Sequence, residues 1–337
     1  MRILVLGGTV FLSRTVVEIA RDAGHDVTCA NRGMSGNPPA DVAFVKADRD
    51  EPDGLRQLAN AEFDAVVDVE RQSPTRVRRA LQALGERAGH WTYVSSSSVY
   101  RDASTIGQDA ATSEIESPPP GGSDEDDREL YGPFKVACEE EVRKSVGDKA
   151  FICRAGLIVG PRDTSDRFGY WPARLAGGGE VLVPGKAEDF VQFVDVRDLA
   201  QWIVHCAENK VAGTFDGIAP ARPWGDVVTG IASAVGAADA SLTWVPTEWL
   251  SEQAVVPWAG PDSLPLWLPL PEYAGFMSRD ASASVTAGLT SRDIEDTAAA
   301  ALEWEGVLGP DRDRRSGITA ERESELLVAW HASEQAS

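Results

Sequence analysis

The sequence has few of the residue types that most often bind metals or form disulfides. In 337 residues there are four cysteines and four histidines: Cys29, Cys138, Cys153, Cys206, His25, His90, His205 and His331. No two cysteines form a C-x-x-C pair, and the histidines lack ligand spacing. We therefore expect no metal site. Cys29 and Cys153 lie in apolar, strand-like runs and are expected to be buried free thiols, which fits a reduced cytoplasmic protein.

The sequence also lacks long hydrophobic runs and an excess of basic residues. No apolar stretch approaches the roughly 18 residues that a membrane helix needs, and the first residues do not have the pattern of a signal peptide. We expect no membrane partner and a cytoplasmic location. Lys and Arg number 32 against 53 Asp and Glu, a formal net charge of −21. Such a charge repels phosphate backbones, so we expect no nucleic-acid partner.

The first half of the chain alternates short apolar runs with helical patterns. Strands are predicted over residues 2–7, 25–31, 42–48, 64–69, 90–96 and 149–160, and helices over 11–24, 53–60, 75–88 and from Tyr131 onward. Such alternation is typical of an α/β fold with a doubly wound parallel sheet covered by helices.

The pattern predicts two domains. The stretch "RILVLGGTVFLSR" (2–14) has the strand, turn and helix start that are typical of a loop holding a dinucleotide. Residues 1–160 are therefore expected to form a dinucleotide-binding domain, and residues 161–337 mainly a smaller substrate lobe, with 190–210 returning to the first domain. Residues 102–129 interrupt the first domain with prolines, glycines and nine acids against one base. Such a segment is expected to be a solvated surface loop. The alternative is a lid or acidic rim over the active site.

Four separated motifs carry a resemblance to a known family. They are "GGTVFLS" (7–13), "YVSSSSVY" (93–100), "YGPFK" (131–135), and "RAGLIVGP" (154–161) followed by "FVDVRDLA" (193–200). In this order they resemble the extended branch of the short-chain dehydrogenase/reductase superfamily, the NAD-dependent epimerases, dehydratases and reductases. The resemblance implies a Rossmann-type fold, a nicotinamide cofactor, a small-molecule substrate and a homodimer. "DRFGYWP" (166–172) and "ERESELLVAWH" (321–331) are similar to an actinobacterial subgroup.

The glycine loop departs from the family pattern G-x-x-G-x-x-G, because its three positions hold Gly7, Val10 and Ser13. The second glycine lets the pyrophosphate approach the backbone, and the third lets the helix pack on the sheet. Phosphate binding depends mainly on backbone N–H groups and the helix N-terminus, which survive both substitutions. Valine fits if its φ stays negative. We therefore predict that a cofactor binds in an altered pocket, and the alternative is a degenerate loop that only closes the fold. The predicted contacts are Gly7, Thr9, Val10, Phe11 and Leu12.

The end of the second strand indicates which nicotinamide cofactor binds. NAD-preferring relatives usually carry an acid there, whereas this chain has Asn31 and Arg32. An arginine suits a 2′-phosphate, so the resemblance predicts NADP, with NAD as the alternative. Asp48, after the third strand, is expected to meet the adenine amino group.

The resemblance assigns catalysis to Ser96, Tyr131 and Lys135. Tyr131 and Lys135 stand four residues apart, one turn on the same helical face. A cation one turn from a phenol favours the phenolate, the form that can accept a proton. Lys135 would also hold the nicotinamide ribose, and Ser96, or else Ser97, would bind the substrate oxygen. The alternative for Tyr131 is a surface tyrosine at a helix start.

Two departures bear on the substrate. Nucleotide-sugar relatives have an asparagine where this chain has Leu157 and an arginine where it has Val191. We therefore predict an NAD(P)-dependent oxidoreductase acting on a small, non-nucleotide alcohol or carbonyl compound. The alternatives are an epimerase of a sugar-like substrate that recycles its cofactor, and a non-catalytic Rossmann-fold binding protein. A dehydratase is disfavoured, because Ser97 and Ser98 stand where it would have Asp and Glu.

Aromatic and basic residues of the second half leave two questions open. Trp171, Trp258 and Trp267 either line an apolar pocket or belong to the core of the lobe. Arg162 and Arg167 either hold an acidic group of the substrate or have no specific role.

Overall fold

A computed structural model describes residues 1–123, 125–309 and 312–336. The strands are β1 (Arg2–Leu6), β2 (Asp26–Asn31), β3 (Ala43–Lys46), β4 (Ala65–Asp68), β5 (Trp91–Ser96), β6 (Ala150–Ala155), β7 (Ile158–Val159), β8 (Glu180–Pro184), β9 (Phe190–Val191), β10 (Val194–Asp195), β11 (Gly213–Gly217), β12 (Arg222–Pro223), β13 (Ser241–Val245), β14 (Val256–Pro257) and β15 (Ser263–Leu264).

The helices alternate with these strands through the first half and dominate the second. They are α1 (Phe11–Asp22), α2 (Pro74–Leu84), α3 (Tyr131–Val146), α4 (Tyr170–Ala176), α5 (Val196–Glu208), α6 (Trp224–Val235), α7 (Thr247–Glu252), α8 (Ser282–Thr286), α9 (Ile294–Leu308) and α10 (Ala320–Ala336). Short 3-10 helices span Gly85–Arg87, Ser97–Val99 and Gly147–Lys149.

Seven parallel strands form the central sheet in the order β3-β2-β1-β4-β5-β6-β11. Successive residues of β1 face opposite sides. Ile3 and Val5 join the core under α1 and α5, and Leu4 and Leu6 join the core under α2 and α3. Helices therefore cover both faces, and the predicted Rossmann-type doubly wound fold is confirmed. The strand order reverses between β1 and β4, which is where such sheets form a ligand crevice.

A second hydrophobic core lies in the C-terminal half. It combines β8 and β13 with residues of α4, α6, α9 and α10, among them Trp171, Trp224, Ile231, Ala298 and Leu326. In contrast, α5 and β11 belong to the central sheet and its covering helices. Of residues 190–210, α5 packs with the central sheet, whereas Val191 packs in the second core, so the predicted return of this segment to the first domain stays a prediction. The predicted domain boundaries themselves stay a prediction.

The structure differs from the predicted elements in several places. Residues 53–60, predicted to be a helix, form successive turns, with Arg56 N–H donating to the Asp53 carbonyl at 3.0 Å. A Cβ at Gly54 would clash with the Asp48 carbonyl, so the backbone lies tight against the preceding turn. Among the elements that the patterns did not predict are β11, β13 and α9. β11 has only five residues with glycines at both ends, too short for a periodic signal.

All four cysteines are free and buried. Burial raises the pKa of Cys29 to about 11, against a lowering effect of Arg14, and raises the pKa of Cys206 to about 12. Among the described residues, no group of three or more His, Cys, Asp and Glu side chains is arranged to hold a metal ion. In the same part of the chain, every helix is too short or too polar to cross a membrane.

Candidate active site

Two adjoining cavities lie at the carboxyl ends of the central strands. The larger has a volume of about 770 Å³ and the smaller about 210 Å³, and Val10 and Ser13 line both. The structure brings every predicted site residue to one of them. Val10, Phe11, Leu12, Ser96, Tyr131 and Lys135 line the large cavity, and Gly7, Thr9, Val10, Asn31, Arg32 and Asp48 line the small cavity. Their roles stay predictions.

The glycine loop turns between β1 and α1 through two glycines of unusual conformation, and Phe11 at the start of α1 also has a positive φ, 40°. Gly7 and Gly8 have φ values of 133° and 91°, which only glycine takes without strain. A Cβ on Gly8 would clash with Sγ of Cys29 in β2 and lie 3.2 Å from Val17 in α1. Gly8 therefore allows the loop, β2 and α1 to approach one another closely. Position 13, where the family pattern has a glycine for the packing of helix on sheet, holds a serine.

Val10 and Ser13 remodel the loop without closing it. Val10 has φ −132° and ψ 136°, an extended backbone that valine adopts readily, and its side chain is 47% exposed. The Ser13 hydroxyl donates to the Val10 carbonyl at 2.8 Å. The first turn of α1 contains no acidic side chain, and its N–H groups have no acceptor within the helix. This helix start is suited to an anion such as a pyrophosphate.

The small cavity lies at the ends of β2 and β3. The Asn31 side chain donates to the Gly7 carbonyl at 2.6 Å and accepts from Gly33 N–H, so it ties the two loops together. The Arg32 guanidinium lies 3.6 Å from the Asp50 carboxylate, and both side chains are about half exposed. Asp48 accepts the N–H of Asp50 at 3.0 Å. The end of β2 thus offers a cation rather than an acid, although that cation has a carboxylate neighbour.

Sequence reasoning missed four charged residues of the small cavity, Arg49, Asp50, Glu70 and Arg76. Arg49 donates to Asp68 and to Glu70, each at 2.8 Å. Burial alone would lower the pKa of Arg49, but the two carboxylates more than offset this and raise it. Glu70 could have been found from the sequence, because it follows a predicted parallel strand at its carboxyl end.

Lys135 is held almost completely inside the protein, beneath Tyr131. It is 3% exposed, and its Nζ donates to the backbone carbonyls of Glu70 at 2.8 Å and Val94 at 2.6 Å. Nζ also lies 5.9 Å from the centroid of the Tyr131 ring. An ammonium has three N–H donors, so one remains for a ligand. The two carbonyls lie at the ends of β4 and β5 and fix the ammonium at the large cavity.

The four serines after β5 differ in their contacts. The Ser95 hydroxyl is buried and donates to Glu139 at 2.6 Å, and Ser97 is only 5% exposed. The Ser96 hydroxyl accepts the N–H of Ser98 at 3.1 Å and is half-buried at the cavity wall. Helix α3 begins against these serines, because Gly132 has no side chain to clash with the Ser98 carbonyl. This geometry favours Ser96 over Ser97 as the hydroxyl that meets a ligand.

The structure distinguishes the tryptophans that belong to the core from the one that lines the large cavity. Trp171 and Trp267 belong to the second core, at 0% and 6% exposure, whereas Trp258 lines the large cavity. Leu157 forms an apolar part of the same wall. Val191 is buried at 4% exposure and lines a different, small pocket, so it does not face the large cavity.

The described parts of the acidic insertion, 102–123 and 125–129, contact both helix α2 and the segment around Phe276. Phe276 N–H donates to the Ala103 carbonyl at 2.8 Å, and Glu125 accepts from Thr75 at the start of α2. Among these described residues, the one that lines the large cavity is the base Arg128, not an acid. Asp124, part of the predicted acidic run, lies outside the described residues.

Comparisons with known proteins match the part of the chain that contains the candidate site. A model of the NAD dependent epimerase/dehydratase family matches residues 3–216, a span that contains the glycine loop, the serines, Tyr131 and Lys135. The chain is similar to epimerase family protein SDR39U1 of Bos taurus, 27% identical over 237 residues that cover 66% of this chain and 75% of that protein. It is also similar to 2'-dehydrokanamycin reductase of Streptomyces kanamyceticus, 27% identical over 265 residues that cover 75% and 72%.

A solved structure supports the fold. The Bordetella bronchiseptica enzyme WbmH in complex with NAD+ has a TM-score of 0.64 at 17% identity, covering 91% of this chain and 99% of that one. At this identity the likeness shows the fold alone. The resemblance to an actinobacterial subgroup stays a prediction.

Proposed function

The chain belongs to the NAD-dependent epimerase/dehydratase family, and from that premise we propose that it is an NADP-dependent oxidoreductase of a small alcohol or carbonyl compound without a nucleotide. Membership makes the chain an NAD(P)-dependent enzyme of the short-chain dehydrogenase/reductase type, an oxidoreductase or an epimerase. Our proposal concerns three further points: the choice of NADP over NAD, the type of reaction and the type of substrate.

The observation that carries the proposal is the meeting of Ser96, Tyr131 and Lys135 in one cavity that continues into the glycine loop. The loop residues alone would support a binding protein. A phenol, an ammonium and a hydroxyl at the same cavity wall supply a proton donor, a fixed positive charge and a hydrogen-bond partner for a reacting oxygen.

The two cavities fit a dinucleotide in size and chemistry. The small cavity would take the adenosine half, with Asp48 near the adenine, and the start of α1 would take the pyrophosphate. The large cavity would take the nicotinamide half, with the third N–H of Lys135 directed to the ribose. When bound, the nicotinamide supplies or removes a hydride at the substrate carbon.

The residues of this chain then move the proton and hold the oxygen. In the reducing direction the Tyr131 hydroxyl donates its proton to the substrate oxygen, and in the oxidising direction the phenolate accepts it. The Lys135 ammonium favours the phenolate by its charge. The Ser96 hydroxyl donates to the same substrate oxygen and stabilises the charge that develops there. Leu157, in the wall, excludes water from this region.

The preference for NADP is supported by the side chains at the end of β2. Arg32 and Ser35 line the small cavity there, and Arg76 lies across it. A 2′-phosphate would compete with Asp50 for the arginine charges, because Asp50 lies 3.6 Å from Arg32 and 2.7 Å from Arg76. The similarity to a protein named as a 2'-dehydrokanamycin reductase supports the reducing direction.

The proposal is tested by titrating the full chain with NADPH and with NADH while following nicotinamide fluorescence, and then by assaying turnover with small alcohols and ketones. We expect NADPH to bind about tenfold more tightly. Tyr131→Phe should leave that binding within about twofold and reduce turnover by about 10²- to 10⁴-fold.

A matched control for Tyr131→Phe is Tyr273→Phe, a tyrosine that lines neither cavity. The proposal fails if neither nucleotide binds at millimolar concentration. Tight retention of nucleotide with no net change in its absorbance during substrate conversion would instead identify an epimerase.

A further inference from the structure

The large cavity has the opposite charge to the whole chain. Its lining contains four cations, Arg71, Arg128, Lys135 and Arg167, against a single carboxylate, Asp163, in a chain of formal net charge −21. Lys135 is engaged by two backbone carbonyls and faces the predicted ribose position. Three arginines remain, and none of them forms an ion pair with the residues that the structure describes.

Arg167 is the most strongly oriented of the three. Its Nε lies 3.1 Å from the Ser165 hydroxyl, and its guanidinium carbon lies 5.2 Å from the centroid of the Trp258 ring. The Trp258 ring in turn packs edge-on against Phe276, with centroids 5.7 Å apart. The guanidinium is therefore held by an aromatic wall, while its two terminal nitrogens have no acceptor among the described residues.

The Asp163 carboxylate beside Arg167 forms no ion pair with it, although the charge of each group affects the pKa of the other. Both oxygens of Asp163 accept from Ser165, one from its N–H and one from its hydroxyl, each at 2.8 Å. Burial raises the pKa of Asp163. Burial also lowers the pKa of Arg167, and the charges of Asp163 and Tyr131 only partly offset this. Arginine stays protonated throughout the working range, so its charge is half-buried and only partly balanced by the Asp163 carboxylate, with which it forms no ion pair.

Arg162 provides the contrast within the same segment. Its Nη1 lies 2.7 Å from the Glu18 carboxylate on α1, and the side chain lines a different surface pocket. Of the two arginines that the sequence left open, only Arg167 reaches the large cavity. Because Arg167 supplies a cation to the large cavity, the absence of an arginine at position 191 does not leave this cavity neutral.

We infer that the substrate carries a carboxylate and that Arg167 binds it through its two terminal nitrogens, an inference that rests on the proposed function. A stacked guanidinium presents two parallel N–H groups, which match the planar oxygens of a carboxylate. Arg71, 6.0 Å from the centroid of the Tyr131 ring, and Arg128 at the rim attract the same group. Because the cavity must also take the nicotinamide half of the cofactor, the acid is small.

The experiment uses the full chain saturated with NADP+ and measures binding by calorimetry. The probes are matched pairs of an acid and a neutral analogue of similar size, namely lactate with propane-1,2-diol and gluconate with sorbitol. Glucose 6-phosphate and UDP-glucose test a phosphate ester and a nucleotide diphosphate. We expect the acid of at least one pair to bind at least tenfold more tightly than its neutral partner and than both phosphate compounds.

Variants separate the role of Arg167 from a structural one. Arg167→Gln should weaken binding of the acid at least tenfold and leave NADPH binding unchanged. Arg167→Lys keeps the charge but loses the planar fork, so its effect should be intermediate. Arg162→Gln is the matched control and should change neither.

The outcomes are distinguishable. If NADPH does not bind, the proposed function fails, and the inference fails with it. If NADPH binds but no acid binds, or neutral partners or phosphate compounds bind as tightly as acids, the inference alone is wrong. If Arg167→Gln weakens NADPH rather than the acid, the arginine serves the cofactor and the inference is likewise wrong.

Discussion

His90 shows how a single buried residue sets a pH dependence. It is 1% exposed, its Nε2 lies 2.8 Å from the Val211 carbonyl, and its Nδ1 is buried without a partner among the residues that the structure describes. The hydrogen bond assigns the proton to Nε2. A second proton would place an N–H at Nδ1 with nothing to accept it. Accordingly, burial lowers the pKa of His90, against a smaller raising effect of the Val211 carbonyl.

The sign of the effect on stability follows from that lowered pKa. As the pH falls below the ordinary histidine value of about 6.5, the unfolded chain binds a proton at position 90 and the folded chain does not, so stability decreases. Above that value His90 contributes no pH dependence. His331 acts in the opposite direction, because the Glu180 hydrogen bond raises its pKa, and its contribution is lost as the pH rises.

We therefore predict that His90→Gln flattens the fall of the thermal midpoint between about pH 7 and pH 5.5. The measurement is the difference between the variant and the parent chain at each pH, since the total slope also contains His331. His331→Gln serves as the control and should shift the slope the other way. An unchanged slope in His90→Gln would show that position 90 does not titrate differently in the folded and unfolded chain.

Individual residues also show where sequence reasoning succeeds. Ser96, Tyr131 and Asn31 could be placed at the site because the motifs of the family resemblance include them. Each also stands at the end of a strand or the start of a helix that the sequence pattern predicts. The arginines of the large cavity are a different case: the sequence left the role of Arg167 open and gave no signal for Arg71 or Arg128. The three come from separate loops, and only the tertiary structure brings their side chains to one cavity.

At the scale of elements, α3 is joined to the sheet by a buried charged network. Glu139 is fully buried and accepts from Ser95 on β5 at 2.6 Å and from Arg154 on β6 at 3.0 Å and 2.8 Å. Arg143, one turn further along α3, also donates to it at 2.7 Å. Burial raises the pKa of Glu139, but Arg154 more than offsets this and the pKa is lowered. The network holds the helix that carries Tyr131 and Lys135.

We predict that Glu139→Gln lowers the free energy of unfolding by about 3 kcal/mol, because Arg154 is then left buried without a full counter-ion. The measurement is denaturant unfolding. The matched control is Glu141→Gln on the same helix, whose partner Arg78 is half exposed. That exposed pair should contribute about 0.5 kcal/mol or less. Equal losses in the two variants would contradict the role given to the buried network.

Elements also differ in how well the sequence predicts them. The strands β1, β4, β5 and β6 are buried between two layers of helices, so they read as nearly continuous apolar runs. β11 completes the same sheet but consists of "GTFDG", and nothing in its composition distinguishes it from a loop. The turns at 53–60 have helix-forming residues, and the contact of Gly54 with the preceding turn overrides that preference.

At the scale of the whole molecule, the net charge of −21 is a destabilising term that salt should reduce. The Debye length falls from about 30 Å at 0.01 M salt to about 8 Å at 0.15 M, which screens repulsion across the molecule more than contacts at hydrogen-bond distance. We predict that the thermal midpoint of the chain rises over this range. NaCl and KCl at equal ionic strength should agree, and a fall in both would mean that the ion pairs outweigh the repulsion.

The homodimer implied by the family resemblance stays a prediction at this scale. The family interface would use α3, yet among the described residues the exposed large apolar side chains lie elsewhere, including Met34, Ile106, Val307 and Val328. The outer surfaces of α2 and α3 carry charged residues such as Arg78 and Glu140. A dimer formed there would therefore be held by polar contacts.

The burial of all four thiols has a practical consequence. At neutral pH an alkylating dye needs an accessible thiolate, and the native chain offers none among Cys29, Cys138, Cys153 and Cys206. We therefore expect that the native cysteines of the folded protein do not react with the dye. The variant Thr164→Cys, at an exposed residue on the wall of the large cavity, would carry a single fluorophore positioned to report on whatever enters.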